Sequence, residues 1–464
     1  MSILFDFIRN PFKKEKVEDG KSSKDTEKVY SKKHKKSLNN KHKGKGSIPK
    51  PVIEDKCYYG LIGRFVREIV QATEALGEGV AIELIALLSA SISPDKIWTP
   101  FGSNRTVIRC NALLVAGTSH GKGISSSQLG SFIKRANVLN ENLIAPIFKG
   151  SLSTPEGVIA QIRDNELDNV NYPESTGNQL LVFDEEISSV LKIIQKTNNT
   201  LSNLLRKLFD GSAVEPLTKF NRIRCENPHV VVCGHITPKE LMLNVREDDV
   251  YNGFLNRYPM YYAERKSLKP FPGEIPDTII NELSKELIDI LEWSDEKERK
   301  LSYSDCFIKL WNTVYEEIAT LGEGNEFQES MMARAKHYAK MYSMLFATLD
   351  KSEVIYAKHL DVALGWVKYW QDSVEYLFNI KNQEVKESLL SEASEKIFNL
   401  IKREIHANEG NAIGKSCITS AFSGKYSADL IQEVINDLAS GDDPKLNVER
   451  LKRNSYKISL LDNN

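Results

Sequence analysis

The pattern of apolar and polar residues from Tyr58 onward alternates between two periods. Two segments carry apolar residues at helical spacing, 60–73 and 78–93. The segments 96–101 and 105–116 flank a Gly-Ser-Asn turn at 102–104 and predict two strands. Helices alternating with apolar strands predict an α/β fold.

Three short apolar runs predict strands that are covered on both faces. They are Leu113–Ala116, Leu180–Phe183 and Pro228–Cys233. The pattern between them predicts helices from the glycine-rich segment to about 138, from Pro155 onward with Thr154 as N-cap, and near 187–195 and 199–210. Each of the three runs is followed by residues that can carry chemistry.

The first apolar run ends in a glycine-bearing turn that opens a helix. The turn comprises Gly117, Thr118, Ser119, His120, Gly121, Lys122, Gly123, Ile124 and Ser125. A strand, a glycine turn, a lysine and a helix N-terminus together form the pattern of a P-loop, which binds the phosphates of ATP. The spacing is one residue shorter than the usual motif, and Gly123 replaces Ser or Thr after the lysine. A flexible loop between two core elements is the alternative interpretation.

The second run ends in three acids, Asp184, Glu185 and Glu186. In P-loop ATPases such a strand delivers Asp to Mg²⁺ and Glu to the attacking water. The pattern therefore predicts Asp184 and the Ser125 hydroxyl as magnesium ligands. Either Glu185 or Glu186 is the predicted base, and the residues alone leave the choice open. A buried strand that ends in a solvated acidic turn is the alternative interpretation.

The third run ends at Gly234-His235-Ile236-Thr237. A strand beside the acidic one in P-loop motors often ends in a polar sensor of the γ-phosphate, which makes His235 and Thr237 candidates. A plain core strand followed by a turn is the alternative. Arg257 follows on a predicted loop, where it could serve the nucleotide of a neighbouring subunit. A surface or ion-pair residue is the alternative interpretation of this arginine.

The C-terminal part is predicted to be helical and then to form a small mixed unit. Helices are predicted over 305–320, 327–349, 357–378, 390–406, 414–421 and 428–439. The basic alternating segment 445–461 follows. Three helices and a hairpin predict a winged helix, whose wing would bind DNA through Arg450, Lys452, Arg453 and Lys457. A winged helix that binds protein instead remains open.

Charge is distributed unevenly along the 464 residues. Residues 1–50 hold 15 Lys/Arg and 6 Asp/Glu, so a tail of net charge +9 precedes a body of net charge −10. The lysine-rich composition of the tail predicts that it is disordered. The tail either binds DNA or is solvated and has no specific partner. The apolar peptide at 1–14 could bind a replication partner or a membrane surface, or it is a frayed terminus.

The six cysteines are scattered and show no zinc-site spacing, which predicts reduced thiols. No apolar run reaches the length of a membrane span, and the N-terminus lacks signal-peptide features. These features predict a cytoplasmic protein.

Several stretches in order resemble a family of P-loop proteins of unknown function from phages, plasmids and genomic islands. Members often lie beside primase domains and are described as helicase-like. The stretches are GLIGRFVREIVQATE (60–74), SLSTPEGVIAQIRD (151–164), NTLSNLLRKLFDG (199–211), PLTKFN (216–221), HVVVCGHITPKEL (229–241) and NGFLNRY (252–258). The GHIT-x-x-EL and NGF-x-NR motifs are the most specific of these.

The resemblance implies roles for several residues. The family's phosphate loop ends in Lys-Gly-Thr-Ser, which matches Lys122 to Ser125 except for Ile124. Its acidic strand usually ends Glu-Pro-Glu, an alignment that favours Glu186 as base. Arg257 matches the family's arginine and would act in trans. The segment with Arg334 is similar to the lid of minichromosome-maintenance-type AAA+ helicases, where an arginine touches the nucleotide.

The sequence thus predicts an AAA+-like P-loop core with N-terminal helices, a helical lid and a winged helix. The predicted parts are a disordered basic tail (1–55), the ATPase core (56–265), the lid (266–385) and the winged helix (386–464). The expected function is that of a Mg²⁺- and ATP-dependent DNA motor of a mobile element, acting as a homo-oligomeric ring such as a hexamer. The alternatives are a DNA-binding initiator or regulator that scarcely hydrolyses ATP, and a genomic-island defence ATPase.

Overall fold

A computed structural model describes residues 49–461, with gaps at 119–120, 165–176, 197–199, 216–222, 246, 423–425, 427, 441–443 and 451–455. Of residues 247–248, 380–389 and 428–429 only the backbone is described. The chain divides into two compact units, Met1–Tyr376 and Leu377–Asn464. The fold is α/β, as predicted.

The first unit begins with a 3-10 turn at Asp55–Cys57 and the helices α1 (Gly60–Ala72) and α2 (Gly77–Ser91). Every residue of α2 from Glu78 to Ala90 is buried, as expected for a helix that is apolar on nearly all sides. The hairpin of β1 (Ile97–Phe101) and β2 (Asn104–Val107) follows and turns at Gly102.

Five parallel strands form the central sheet of the first unit: β3 (Ala112–Ala116), β4 (Ile147–Lys149), β5 (Gln179–Asp184), β6 (His229–Ile236) and β7 (Met260–Ala263). Their order across the sheet is β4-β5-β6-β3-β7. The acidic strand β5 is therefore separated from the glycine-turn strand β3 by β6 alone. Because all five are parallel, their ends form one carboxyl edge and their starts one amino edge.

The predicted strand over 105–116 is wrong as a single element, because residues 108–111 lie outside β2 and β3. In this gap Arg109 is buried, and its guanidinium donates to Phe209 O at 2.6 Å and to Pro228 O at 3.0 Å. Between the hairpin and β3, Arg109 thus ties the chain to the end of Leu201–Asp210 and to the residue before His229, the start of a sheet strand.

Helices connect the strands of the first unit. They are α3 (Lys122–Asn140), α4 (Pro155–Ile162), α5 (Ser188–Ile194), α6 (Leu201–Asp210), α7 (Pro238–Asn244) and α8 (Glu247–Tyr251), with 3-10 turns at Glu141–Leu143 and Leu255–Arg257. After β7 come α9 (Asp277–Glu296), β8 (Arg299–Lys300), β9 (Ser302–Tyr303), α10 (Asp305–Ala319), α11 (Glu326–Met332), α12 (Ala335–Leu349), β10 (Val354–Ile355) and α13 (Ala357–Ala407). The short strand β8 pairs with β1, and β9 pairs with β10.

Two helix predictions are corrected. The predicted helix 327–349 is two helices, because the backbone leaves helical geometry at Arg334 (φ −102°, ψ 7°), the N-cap of α12. The predicted helices 357–378 and 390–406 are one helix, α13. Their connection holds neither Gly nor Pro and is rich in helix formers, so it offers no break.

The second unit contains the end of α13, β11 (Ile413–Gly414), α14 (Lys415–Ala421), α15 (Ala428–Ser440), β12 (Leu446–Arg450) and β13 (Tyr456–Leu460). Its strands form an antiparallel sheet in the order β11-β13-β12. Ile397, Ile401, Ile418 and Ile458 lie at the centre of its own core. The three predicted helical segments and the predicted hairpin are thus present. No helix of the described residues is both long and apolar enough to cross a bilayer.

Candidate nucleotide-binding site

The glycine turn after β3 requires glycine at position 121. Gly121 has φ +95° and ψ 9°, and its carbonyl accepts from the N–H groups of Ile124 and Ser125 at 3.1 Å each. A Cβ at Gly121 would lie 2.6 Å from Glu74 O. Gly117 and Thr118 lie on the approach to this turn, and the predicted site residues Ser119 and His120 lie outside the described residues.

Lys122 is the first residue of α3 and carries the cation of the turn. Partial burial lowers the pKa of Lys122, while the nearby carboxylates of Glu240 and Glu186 oppose the shift. Glu186 follows the end of β5, and Glu240 lies in α7, the helix that follows β6. This arrangement holds a half-buried ammonium group at the carboxyl edge, where it is available to an anionic ligand.

Thr237, a predicted sensor, begins α7 with a capping box. Its hydroxyl accepts from Glu240 N at 3.2 Å and donates to Glu240 Oε2 at 2.9 Å. Hydrogen bonds from Thr237 chiefly lower the pKa of Glu240, with smaller contributions from Ser188 and Lys122. Thr237 thus favours the ionised form of Glu240. Because its hydroxyl is engaged with Glu240, Thr237 does not present a free hydroxyl to a ligand.

Asp184 ends β5 with one carboxylate oxygen bound and the other free. Oδ1 accepts from Glu186 N at 2.9 Å, whereas Oδ2 is buried and has no partner. Glu185 and Glu186 are exposed, and the three acids line an open cleft of about 590 Å³ together with Lys149 and Ser151. A buried oxygen without a partner is costly unless a ligand satisfies it.

The acids fit Mg²⁺ in the way that nucleotide sites bind it. Mg²⁺ there takes one or two carboxylates, and the substrate phosphates and water supply the other ligands. Asp184 Oδ2 can supply such a ligand. Among the residues that the structure describes, no group of three or more His, Cys, Asp or Glu side chains is arranged for a metal.

Ser125, the second predicted magnesium ligand, is fully buried behind the turn. Its hydroxyl accepts from Leu76 N at 3.1 Å and lies 3.3 Å from Gly121 O. These contacts tie α3 to the loop before α2. To bind a metal, the Ser125 hydroxyl would have to leave them. The neighbouring Ile124 is partly exposed and offers no oxygen in its side chain.

His235, the other predicted sensor, is buried with Glu83 of α2. Its Nε2 lies 3.1 Å from Glu83 Oε1 but lacks hydrogen-bond geometry, and its ring contacts Phe183 edge-on. Burial raises the pKa of Glu83; His235 opposes this rise and Glu185 adds to it. Ser126 Oγ donates to the same carboxylate at 3.4 Å. A buried acid therefore links α3 to the end of β6.

We expect Glu83→Gln to raise the free energy of unfolding, and to do so more at pH 8 than at pH 5. The pKa of Glu83 is higher in the folded state, so the unfolded chain loses this proton first as pH rises, which costs the native protein stability. Glutamine cannot ionise and its oxygen still accepts from Ser126. Urea unfolding of both proteins at the two pH values measures the difference. If Glu83→Gln lowers the free energy of unfolding, or changes it equally at pH 5 and pH 8, the expectation is wrong.

Arg257 and Arg334 lie together at the amino edge of the sheet, away from the glycine turn. Arg257 ends the 3-10 turn directly before β7, and its Nη2 is 2.7 Å from Asp210 Oδ2. Arg334 Nη2 is 3.4 Å from Asp210 Oδ1. The five residues of β3 separate this edge from the turn by roughly 17 Å. Neither arginine therefore reaches a phosphate bound by Lys122 of the same chain.

Of the four residues predicted to bind DNA, Arg450 and Lys457 are described and exposed, and Lys452 and Arg453 lie outside the described residues. Lys457 is directly opposite Glu449, and Arg450 is opposite Tyr456. A carboxylate across from a lysine offsets its charge. The described part of the hairpin therefore has mixed charge.

The sequence-based prediction missed four polar residues that organise these clusters: Glu83, Ser188, Asp210 and Glu240. Of these, Glu240 could have been predicted from the sequence, because Thr237-Pro-Lys-Glu240 is the T-x-x-E pattern of a capping box. The other three act on partners that are far away in sequence.

No protein-family model matches the chain, and no curated protein matches it significantly. The family resemblance therefore stays a prediction that depends on the motifs quoted above.

Proposed function

We propose that the protein is a P-loop ATPase with an AAA+-like core. The observation that carries the proposal is the position of Lys122 and Asp184 at one carboxyl edge. Lys122 begins the helix after β3, Asp184 ends β5, and β6 lies between these two strands. Two strand spacings amount to about 10 Å, which leaves room for a phosphate group and its Mg²⁺ between them. Ligands of parallel sheets bind at this edge, outside the strand ends.

The residues have distinct proposed roles in this site. The glycine turn and Lys122 bind the β- and γ-phosphates of ATP, with the start of α3 directed at them. Asp184 holds Mg²⁺ through its free oxygen or a water, and the metal neutralises charge on the phosphates. Glu185 or Glu186 polarises the attacking water. Glu186 acts electrostatically on Lys122, whereas Glu185 acts on the buried Glu83.

A ring of identical subunits is part of the proposal, because the arginines at the amino edge need a second chain to reach a nucleotide. Heterologous contacts that close by rotation generate such rings. In the second unit, the three helical segments and the antiparallel strands support a winged helix that binds DNA. The basic tail adds salt-dependent affinity for DNA. The function proposed is a DNA motor or remodelling ATPase of a mobile element, in replication or in defence.

A second candidate is a DNA-binding initiator or regulator that binds ATP without appreciable hydrolysis. The position of Ser125 favours it, since the predicted magnesium hydroxyl is buried and bound to Leu76. Steady-state hydrolysis with and without single-stranded DNA separates the two. Turnover that DNA stimulates supports the motor, and ATP binding without turnover at any DNA concentration supports the regulator.

Glu185→Gln and Glu186→Gln identify the base. The variant of the water-polarising residue should lose about 10²- to 10⁴-fold in kcat while it still binds ATP. Glutamine keeps the shape of the side chain, so the loss reports the missing carboxylate. Hydrolysis at saturating Mg–ATP and binding of a fluorescent ATP analogue are measured for both variants. If each retains more than half of the native kcat, neither residue has the proposed role.

A further inference from the structure

An open groove lies between two helices of the second unit and belongs to none of the sites described above. Residues 390–399 of α13 form one wall, residues 433–438 of α15 form the other, and Lys445 completes the lining. The volume of this α13–α15 groove is about 610 Å³. All of its lining residues belong to Leu377–Asn464, so the groove is a feature of the second unit by itself.

Part of the lining of the α13–α15 groove is apolar. Val434 and Leu438 are buried members of the core of the second unit. Leu390 and Phe398 pack against that core but are only half-buried. Their remaining apolar surface is therefore in contact with water. A peptide that covered this surface would gain the hydrophobic free energy that drives the binding of helices in grooves.

The α13–α15 groove also carries net negative charge. Three exposed acids line it, Glu395, Glu433 and Asp437. The lining contains one cation, Lys445, whose Nζ lies 5.7 Å from the centroid of the Phe398 ring. The lining residues thus have a net charge of −2. This charge repels the phosphates of DNA and attracts a basic ligand.

The sequence contains one stretch with complementary properties, residues 1–14, which lie outside the described residues. Two pairs of apolar residues in it are four positions apart, Ile3 with Phe7 and Leu4 with Ile8. This spacing places apolar side chains on one face of a helix. The same stretch holds three Lys/Arg and one Asp, a net charge of +2. Both its apolar face and its charge therefore match the α13–α15 groove.

The length of chain that follows this stretch permits it to reach the groove. Residues 15–48 separate it from Pro49, the first described residue. These residues are rich in lysine and serine and span up to about 110 Å when fully extended. A tether makes binding intramolecular, so a contact too weak to hold a free peptide is still populated. An open groove of moderate affinity is sufficient for such a ligand.

We propose that the α13–α15 groove binds residues 1–14 of its own chain. The apolar side chains of this segment cover Leu390 and Phe398, and its basic side chains lie near Glu395 and Asp437. The inference does not depend on the proposed ATPase function. It has a consequence for the partner or membrane surface predicted for the N-terminal segment, because such a ligand must displace the segment from the groove.

Photo-cross-linking of the full chain tests this contact. Phe7→p-benzoylphenylalanine places a photoreactive ring within the segment, and mass spectrometry locates the residues to which it becomes attached. We expect cross-links to residues 390–399 or 433–438. The experiment uses an equal mixture of isotopically light and heavy chains. Products that are light–light or heavy–heavy report binding within one chain, whereas light–heavy products report exchange between copies.

Reversal of charge in the groove supplies the second arm of the test. Glu395→Lys combined with Asp437→Lys should lower the yield of cross-links to the groove by about fivefold, because two exposed charge pairs are lost. Glu409→Lys combined with Glu449→Lys is the matched control. These two acids are exposed in the same unit and do not line the groove, so the control changes the net charge equally and should keep the native yield.

Three outcomes would overturn the proposal. Cross-links only to other parts of the chain, or none at all, would mean that the segment does not occupy the groove. Light–heavy products alone would assign the groove to the segment of a second copy. An equal loss of yield in the groove variant and its control, or no loss in either, would mean that the acids of the groove do not hold the segment.

Discussion

Lys122→Ala is expected to lower the rate of ATP hydrolysis at saturating Mg–ATP by about 100-fold or more. Lys122 is the half-buried ammonium group at the carboxyl edge, and the acids of β5 and α7 face it. In the proposed site it stabilises charge that develops on the γ-phosphate, and no other described lysine lies at this turn. Steady-state phosphate release measures the effect.

Lys134→Ala is the matched control for this prediction. Lys134 is an exposed lysine on the same helix, three turns further along, so its removal changes the net charge equally and leaves the site intact. Both variants should melt within a few degrees of the native chain. If Lys122→Ala keeps more than half of the native turnover, the glycine turn does not hold the reacting phosphates.

The strands of the site could be predicted because they belong to a parallel sheet. Buried on both faces, β3, β5 and β6 appear as continuous apolar runs, and the polar residues that follow mark their carboxyl ends. The order of the strands could not be predicted in this way. It depends on which helix packs over which face, and β4, an edge strand of three residues, has no distinct pattern.

Helix α9 was missed, although its apolar residues have helical spacing. It lies within the predicted helical lid (266–385), but no element was predicted between the lid's start and residue 305. The roles of individual polar residues were harder to predict. Thr237 and Ser125 have the side chains of site residues, but neighbouring groups already use both hydroxyls. Such partners come from other segments and become visible only in the folded chain.

Arg257 and Arg334 are a second case in which the sequence did not show which residues are partners. The sequence assigned the first to a loop and the second to a continuous helix, each with a separate role. Their common partner Asp210 lies 47 residues before Arg257 in the chain. The sheet brings the start of β7 beside the start of β3, and helices α6 and α12 bring Asp210 and Arg334 to Arg257.

A pair of glycine substitutions separates the stability of the turn from its binding of phosphate. We expect Gly121→Ala to lower the free energy of unfolding by about 2–3 kcal/mol, because alanine at φ +95° is strained and its Cβ would contact Glu74 O. Gly123→Ala should instead raise it by about 0.5–1 kcal/mol. Gly123 is the second residue of α3, where alanine is the better helix former, and no described atom lies within 4 Å of the added Cβ. Urea unfolding measures both.

Gly123→Ala should weaken ATP binding although it stabilises the fold. The open space beside Gly123 lies at the N-terminus of α3, where the proposed site places a phosphate. A methyl group there would keep phosphate oxygens from the backbone, so Gly123→Ala should weaken ATP binding by about tenfold or more, a loss of about 1.4 kcal/mol. Titration with a fluorescent ATP analogue measures the dissociation constant. A more stable protein with weaker ATP binding would place the phosphate over the start of α3, whereas unchanged affinity would mean that the nucleotide binds elsewhere.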